Sequence, residues 1–197
     1  MDEAIRSSLK ESGKILISFL PLFSFWFISL GHSMIRLQIG TYTGSALLIV
    51  MVFMRLSRGM IMWGMAIYFA IVLIFALWLK NVFVIQYQGV LPGAILFIVA
   101  MLSMIVGRPF VQDYAREGIA QEQQESVQFV RSCFKMTSFW ASIFLLSALI
   151  NRVKMNDPNP DEFVYFGVQL GILLIAMGYT TVYMIWSKHK RLSMPKT

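Results

Sequence analysis

The sequence has few of the residues from which catalytic and metal sites are usually built. Its only cysteine is Cys133, which excludes an intrachain disulfide and a zinc cluster of thiolates. The HExxH metal motif, a glycine-rich phosphate loop ending in Lys-Ser/Thr and the Gly-x-Ser-x-Gly elbow are all absent. Charged residues make up 14% of the chain, below the roughly 25% of soluble domains. The sequence therefore predicts no catalytic residue, cofactor or metal site, and we expect a protein that is not an enzyme.

Hydrophobic residues, in contrast, make up 57% of the 197 residues, and the mean hydropathy is +0.67. They are gathered in six runs, none of which contains Asp, Glu, Lys or Arg. A bilayer core about 30 Å thick needs roughly 20 helical residues. We therefore predict an all-α polytopic membrane protein, a single integral membrane domain over residues 1–197 with six transmembrane helices. The predicted spans lie near residues 15–33, 38–54, 60–79, 89–106, 137–151 and 163–186.

The cations lie in the joints between these runs, and their distribution predicts the orientation of the chain. Of the 17 Lys and Arg residues, 13 fall on the side of the N-terminus and only four on the other. By the positive-inside rule, both termini are therefore predicted to be cytoplasmic. The net charge of +7 reflects this topology and does not indicate nucleic-acid binding. The four outer cations are Arg36, Lys80, Arg152 and Lys154.

Pairs of glycines four residues apart recur near the outer ends of the three inward-running helices. Such pairs let two helix backbones approach closely and pack by dispersion. Three pairs at matching positions predict three similar helical hairpins, each entering from the cytoplasm and returning to it. The alternative is chance among the 13 glycines of an apolar sequence. The pairs are Gly40 and Gly44, Gly89 and Gly93, and Gly167 and Gly171.

The longest polar stretch, residues 107–135, separates the fourth predicted span from the fifth and is expected to be cytoplasmic. We predict two short amphipathic helices broken near Gly118, the second of which lies at the inner interface and runs up to the fifth span. Asp113 and Arg116 are close enough along the chain for their charges to be satisfied locally. The alternative is a solvated linker.

Polar side chains that could bind a ligand at the outer side are few. His32 and Arg36 stand one helical turn apart and could hold an anionic headgroup or a small anion. The alternative is an ordinary interfacial boundary whose side chains reach water. Ser and Thr side chains inside the spans could contribute to a solute site, although such groups ordinarily hydrogen-bond to their own helix or a neighbour. His189 belongs on the opposite face from His32, so the two cannot share a metal ion.

The chain resembles the intracellular septation protein A family of bacterial inner-membrane proteins. The resemblance is carried by Phe19-Leu20-Pro21-Leu22, by the small residues that begin the inward helices, and by Arg108-Pro109-Phe110 after the fourth span. It implies a non-enzymatic protein of the bacterial inner membrane that supports envelope maintenance and division by contacting other membrane proteins. It supplies no catalytic residue. The candidates for partner contact in the cytoplasmic stretch are Arg108, Asp113, Tyr114 and Arg116.

Two other classes of function fit the same layout. A solute-binding membrane subunit of a vitamin-type transporter would also have six helices and could dock an energising partner on its glycine pairs. A lipid-modifying or lipid-moving enzyme would need acidic or histidine side chains near the headgroups. The outer candidates for that role are His32, Arg36, Asp157, Asp161 and Glu162. In each case the lipid bilayer is a partner and nucleic acid is not, and a homo-oligomer remains open.

Overall fold

A computed structural model describes residues 17–31, 33–54, 59–116 and 126–192, with residues 13 and 124, and side chains up to residue 186. The described residues form helices joined by short turns and no β-strand, as the sequence predicts. The helices are α1 Leu20–Ile28, α2 Met34–Phe53, α3 Gly59–Ile71 with its π-helical continuation Val72–Trp78, α4 Val82–Tyr87, α5 Leu91–Ile105, α6 Val111–Ala115, α7 Val127–Asn156 and α8 Glu162–Leu192.

Four helical segments in the described part of the chain are long and apolar enough to cross a membrane: Met34–Phe53, Gly59–Trp78, Val127–Asn156 and Glu162–Trp186. Helix α5 is equally apolar but has 15 residues, and α1 has nine. Helix α7 has 30 residues, or about 45 Å at the usual rise, and so extends well beyond the predicted span of residues 137–151. The expectation of a membrane-spanning helical protein is confirmed at this level.

The start of helix α1 is set by a proline. Pro21 lies at its first turn, where a missing amide donor costs least, so α1 begins at Leu20 and does not occupy the whole of the predicted first span. The hydroxyl of Ser24 donates to the Pro21 carbonyl at 2.9 Å. Helix α4 was not predicted, since its six residues are too few for a span. Asn81 caps it by accepting a hydrogen bond from the backbone N–H of Val84 at 3.2 Å.

The last part of the third predicted span is a π-helix. Seven residues, Val72–Trp78, continue α3 in this wider form. The backbone N–H of Leu79 then donates to the carbonyl of Ile74, five residues back, at 2.9 Å. Each such turn holds one residue more than an α-helical turn.

The core is aromatic, and the short helix α1 lies within it. Phe19 stacks on Trp140 of α7 with ring centroids 5.7 Å apart, and both are fully buried. Phe25 meets the ring of Tyr68 of α3 edge to face at 5.5 Å. Such pairs add about 0.5–1.5 kcal/mol each beyond the area they bury. Phe53 of α2, by contrast, is 84% exposed. Helix α1 is therefore anchored by packing in spite of its length.

Consecutive helices pack against each other, but the most extensive interface is between α5 and α7, which belong to different predicted hairpins. The glycine-bearing helices α2, α5 and α8 have α1, α3 and α7 as their main neighbours, and not one another. A Cβ atom at Gly93 would lie 2.8 Å from both the Phe144 carbonyl oxygen and the Ala148 nitrogen. Real Cβ atoms essentially never come so close to backbone atoms, so α5 and α7 can touch here only because Gly93 has no side chain.

The other predicted packing glycines fall into two groups. A Cβ at Gly40 would overlap the hydroxyl oxygen of Ser29, one at Gly44 would lie 2.5 Å from the ring of Phe69, and one at Gly89 would lie 3.0 Å from Asn151 Oδ1. At Gly167 and Gly171 no atom of the described chain lies within 4 Å of that position. The third pair thus has no close packing partner in the described structure. The same spacing in sequence therefore accompanies two different environments.

Candidate functional site

A polar cavity of about 650 Å³ lies at one end of the bundle, where α1 and α7 end and α5 and α8 begin. This is the end predicted to face outward. A smaller pocket of about 80 Å³, lined also by Gln169, adjoins it and shares several of its lining residues. We call the two together the polar cavity. Its polar and charged lining residues include Ser29, Gln88, Asn151, Lys154, Asp157 and Glu162.

Below the cavity, α7 and α8 are joined by hydrogen bonds between side chains and backbone. The Ser147 hydroxyl donates to Gln169 Oε1 at 2.6 Å, and Gln169 Nε2 donates to the Ser147 carbonyl at 3.1 Å. Asn151 Nδ2 donates to the same carbonyl at 2.9 Å. Both Ser147 and Gln169 are buried, so this polar contact is fully internal. It fixes the register of α7 on α8 beneath the cavity floor.

The charges of the cavity come from the loop between α7 and α8 and from the helix turns on either side of it. Lys154 and Glu162 form an ion pair across it, with about a quarter of each side chain exposed. Asp157 Oδ2 accepts a hydrogen bond from the Tyr165 hydroxyl at 3.1 Å, and its Oδ1 accepts one from the backbone N–H of Asn159 at 3.1 Å. These contacts hold the loop over the ends of the two helices. The ion pair and the hydrogen bonds of Asp157 therefore hold this side of the cavity wall in place.

Two buried oxygen atoms in the wall have no hydrogen-bond partner among the described residues. They are Ser29 Oγ, at the end of α1, and Gln88 Oε1, just before α5. Most buried polar atoms in native structures have a hydrogen-bond partner in the protein or in ordered water, so each exception needs an explanation. An oxygen acceptor left unpaired at this depth costs about 1–3 kcal/mol. The two atoms are therefore available to a hydrogen-bond donor that enters the cavity.

Sequence reasoning names two lining residues of this cavity, Asp157 and Glu162, as outer candidates, but it does not find the rest of the site, although one signal is available. Gln169 lies inside a predicted span, and an amide in a membrane helix is a stronger indicator of a polar contact than Ser or Thr. The Lys154–Glu162 pair is formed across a loop with two prolines, and neither side chain belongs to a recognisable motif. Gln88 lies in the joint between the third and fourth predicted spans, for which the sequence predicts no role.

The predicted outer pair is placed only in part. His32 lies outside the described residues. The Arg36 guanidinium is exposed, and its Nη1 donates to the carbonyl of Leu30 at 2.8 Å. Arg36 therefore satisfies a backbone carbonyl that follows α1, and the structure does not bring it into the lining of the polar cavity as described.

At the opposite end of the bundle, α6 is held against the helices and is not a free linker. The Phe110 backbone N–H donates to the Ser103 hydroxyl at 3.2 Å, and Phe110, Val111 and Gln112 are buried. The carboxylate of Asp113 accepts a hydrogen bond from the backbone N–H of Met60, in the first turn of α3. An acid in this position satisfies a donor that the helix itself leaves unpaired.

The four predicted partner-contact residues therefore have different surroundings. The Tyr114 hydroxyl forms a hydrogen bond with Ser18, and burial raises its pKa to about 12. Asp113 as a whole residue is exposed, but its carboxyl group is partly buried. This burial raises the pKa of the carboxyl group. The Met60 N–H, Arg116 and Arg108 lower the pKa by less. Arg108 and Arg116 are exposed. Asp113 and Tyr114 thus anchor α6, while the two arginines face outward. Residues 117–123, which include the predicted break at Gly118, lie outside the described part.

A pH dependence follows from Asp113. Because its pKa is raised on folding, the folded chain holds this proton more tightly than the unfolded chain. The stability it contributes is full below the ordinary pKa of 3.8 and declines as the pH rises through the raised value. Asp113→Asn, which cannot titrate, should flatten this decline when thermal unfolding in detergent is followed from about pH 3 to pH 7. Identical pH profiles for the two proteins would contradict this assignment.

The contact between Ser147 and Gln169 gives a second prediction. Ser147→Ala leaves Gln169 Oε1 buried without its donor and should destabilise the protein by about 1 kcal/mol. Adding Gln169→Leu removes the unpaired oxygen, so the double variant should be more stable than Ser147→Ala alone when their melting temperatures are compared. Ser142→Ala is the control, because its hydroxyl is exposed and bonds only to the Ser138 carbonyl of its own helix. Additive losses in the double variant would disprove the coupling.

Within the described residues, no three His, Cys, Asp or Glu side chains are grouped so that they could hold a metal ion. The chemistry of the polar cavity is instead that of hydrogen bonding and of one ion pair. Such a site can bind a small molecule and hold it in one orientation. Comparison of the chain with known protein families, with characterised proteins and with solved structures gives no match.

Proposed function

We propose that the chain is a six-crossing protein of the bacterial inner membrane, with both termini cytoplasmic, that acts without catalysis through contacts with other membrane proteins of the envelope or division machinery. The resemblance to septation protein A underlies this proposal. Four helical segments of sufficient length, with the apolar helices α1 and α5 packed among them, support six crossings. The distribution of cations supports the orientation.

The observation that carries the partner-contact role is the anchoring of α6. Asp113 and Tyr114 tie this helix to α3 and to Ser18, so that Arg108 and Arg116 have a fixed platform at the bundle end. A surface presented in this way loses little conformational freedom when a partner binds. Exposed arginines are also well suited to bind carboxylates of a partner.

The partner-contact role is tested with a double variant and a matched control. Arg108→Ala/Arg116→Ala removes two exposed charges from the platform and leaves the anchoring residues in place. Arg131→Ala/Lys135→Ala removes the same charge from the exposed side of α7. In cells that lack the wild-type copy, the first variant should insert normally but lose envelope integrity and crosslinks to its partners. Wild-type behaviour of the platform variant, or equal defects in both variants, would refute the role.

The topology is tested by cysteine accessibility. In a Cys133→Ala background, single cysteines at Ser8, Lys80, Gln123 and Asn159 should label from the inside, outside, inside and outside, respectively. The reagent is a membrane-impermeant maleimide, applied to intact cells and to inverted vesicles. Labelling of Lys80 and Gln123 from the same side would exclude the six-crossing arrangement.

A second candidate, a solute-binding membrane subunit of a vitamin-type transporter, is favoured by the polar cavity at the end predicted to face outward. This candidate predicts that a tightly bound small molecule and an ATPase complex co-purify with the protein from native membranes. Mass spectrometry of the purified sample would detect both. Their joint absence would remove this candidate and leave the partner-contact role unaffected.

A further inference from the structure

We propose that the polar cavity binds a small ammonium-bearing molecule, either free in solution or as the headgroup of a lipid. This inference concerns the end of the bundle opposite to α6 and does not depend on the partner-contact role. The cavity volume of about 650 Å³ lies within the usual range of about 300–1,000 Å³ for small-molecule sites. Size alone admits many ligands, so the choice rests on the charges and acceptors of the wall.

The charged groups of the described lining are one ammonium, that of Lys154, and two carboxylates, those of Asp157 and Glu162. Lys154 is already paired with Glu162. Asp157 accepts hydrogen bonds only from neutral donors in the hydrogen bonds described, the Tyr165 hydroxyl and the Asn159 N–H. One carboxylate charge is therefore not balanced by a cation of the described wall. A ligand cation would balance it, and hydrogen bonds between charged groups are the stronger ones.

The unpaired oxygens Ser29 Oγ and Gln88 Oε1 also favour a ligand that carries an ammonium group. Gln88 Oε1 is an acceptor, and a donor group of a ligand in the cavity would satisfy it. Ser29 Oγ can accept a hydrogen bond as well. An ammonium group carries three donors and no acceptor, which suits a wall rich in oxygen acceptors. An anion would instead meet two carboxylates and an amide oxygen, with Lys154 already engaged.

Binding is measured on the purified full-length protein with ethanolamine as the ammonium probe and acetate as the anionic control. Isothermal titration in detergent should detect ethanolamine and not acetate if the ligand is a free solute. If the ligand is a lipid headgroup, native mass spectrometry from nanodiscs should show retention of phosphatidylethanolamine and not of phosphatidylglycerol. Either result supports the proposal and identifies the source. Binding of neither ammonium probe, or equal binding of the anionic probes, overturns it.

Some variants are expected to weaken binding of the ammonium probe and one to strengthen it. A general loss of folding would only weaken binding, so the two kinds of variant separate binding from folding. Gln88→Met and Ser29→Ala remove the unpaired oxygens and should each weaken binding of the ammonium probe about tenfold. Lys154→Gln removes the one ammonium group of the described wall, which makes the wall more negative, and should strengthen binding by a similar factor. The matched control is Ser45→Ala, because Ser45 Oγ is also buried without a partner but lies outside the described lining of the cavity. Weaker binding by Lys154→Gln, or equal effects of Ser29→Ala and Ser45→Ala, overturns the assignment.

Discussion

Replacing Gly93 with valine is expected to destabilise the protein by about 3 kcal/mol, the upper end of the usual cost of overpacking. The new Cβ would lie 2.8 Å from the Phe144 carbonyl oxygen and from the Ala148 nitrogen. These are backbone atoms, so no side-chain rotation can relieve the clash, and α5 must move away from α7. Because this is the most extensive helix interface of the bundle, the displacement affects much of the core.

The measurement is thermal unfolding in detergent, followed by circular dichroism or by the fluorescence of a buried tryptophan. Gly171→Val is the matched control, since Gly171 is also the second glycine of its pair and a Cβ added there would have no described atom within 4 Å. This control should change stability by less than about 0.5 kcal/mol, because valine is no worse than glycine in a helix. Equal losses at the two positions would show that the close backbone contact at Gly93 does not set the effect.

Replacing Gly59 with alanine is expected to cost about 3 kcal/mol, from two separate causes. Its backbone has φ of +74°, where a residue with a Cβ atom is strained by about 1–2 kcal/mol. The added Cβ would also overlap the Asp113 carboxylate and force it away from the Met60 N–H. A hydrogen bond to a charged group contributes about 1.5–3 kcal/mol in general.

Two comparisons separate the causes. Gly107 has a similar φ of +78° but no described atom within 4 Å of its Cβ position, so Gly107→Ala should show the backbone cost alone. Shortening the acid relieves the overlap, so Gly59→Ala/Asp113→Ala should be less destabilised than the sum of the two single variants. Melting temperatures of the four proteins give the coupling. Equal losses for Gly59→Ala and Gly107→Ala would mean that the carboxylate contact contributes nothing.

The sequence was informative about helices and less so about their ends. The predicted fifth span is limited to residues 137–151 because Lys135 and Arg152 lie just beyond it, whereas α7 extends from Val127 to Asn156. A charge ends an apolar run but not a helix, since the side chain can reach solvent while the backbone hydrogen bonds continue. Arg152, for example, bonds to Asn156 and lies over the ring of Tyr87.

The contacts between helices could not be predicted from spacing alone. Gly93 and Gly171 occupy equivalent positions in their pairs, yet only Gly93 faces a close backbone. The difference lies in the neighbouring helix, where Ala148 is small enough to allow the approach, and nothing in α5 itself encodes that. The polar cavity as a whole could not be predicted for the same reason: Glu162 is an outer candidate in the sequence, but Ser29 and Gln88 are far from it along the chain and meet it only in the folded bundle.

The π-helical segment Val72–Trp78 also determines where the chain can tolerate a change of length. In an α-helix, losing one residue rotates everything beyond it by about 100° and so turns its buried face away from the core. A π-helical turn already holds one residue more than an α-helical turn, so a deletion within Val72–Trp78 can be absorbed by a return to α-helical geometry. The same deletion near Met65 would carry the buried Tyr68 and Phe69 away from Phe25. One residue can therefore be deleted from this part of α3 without rotating the chain that follows it.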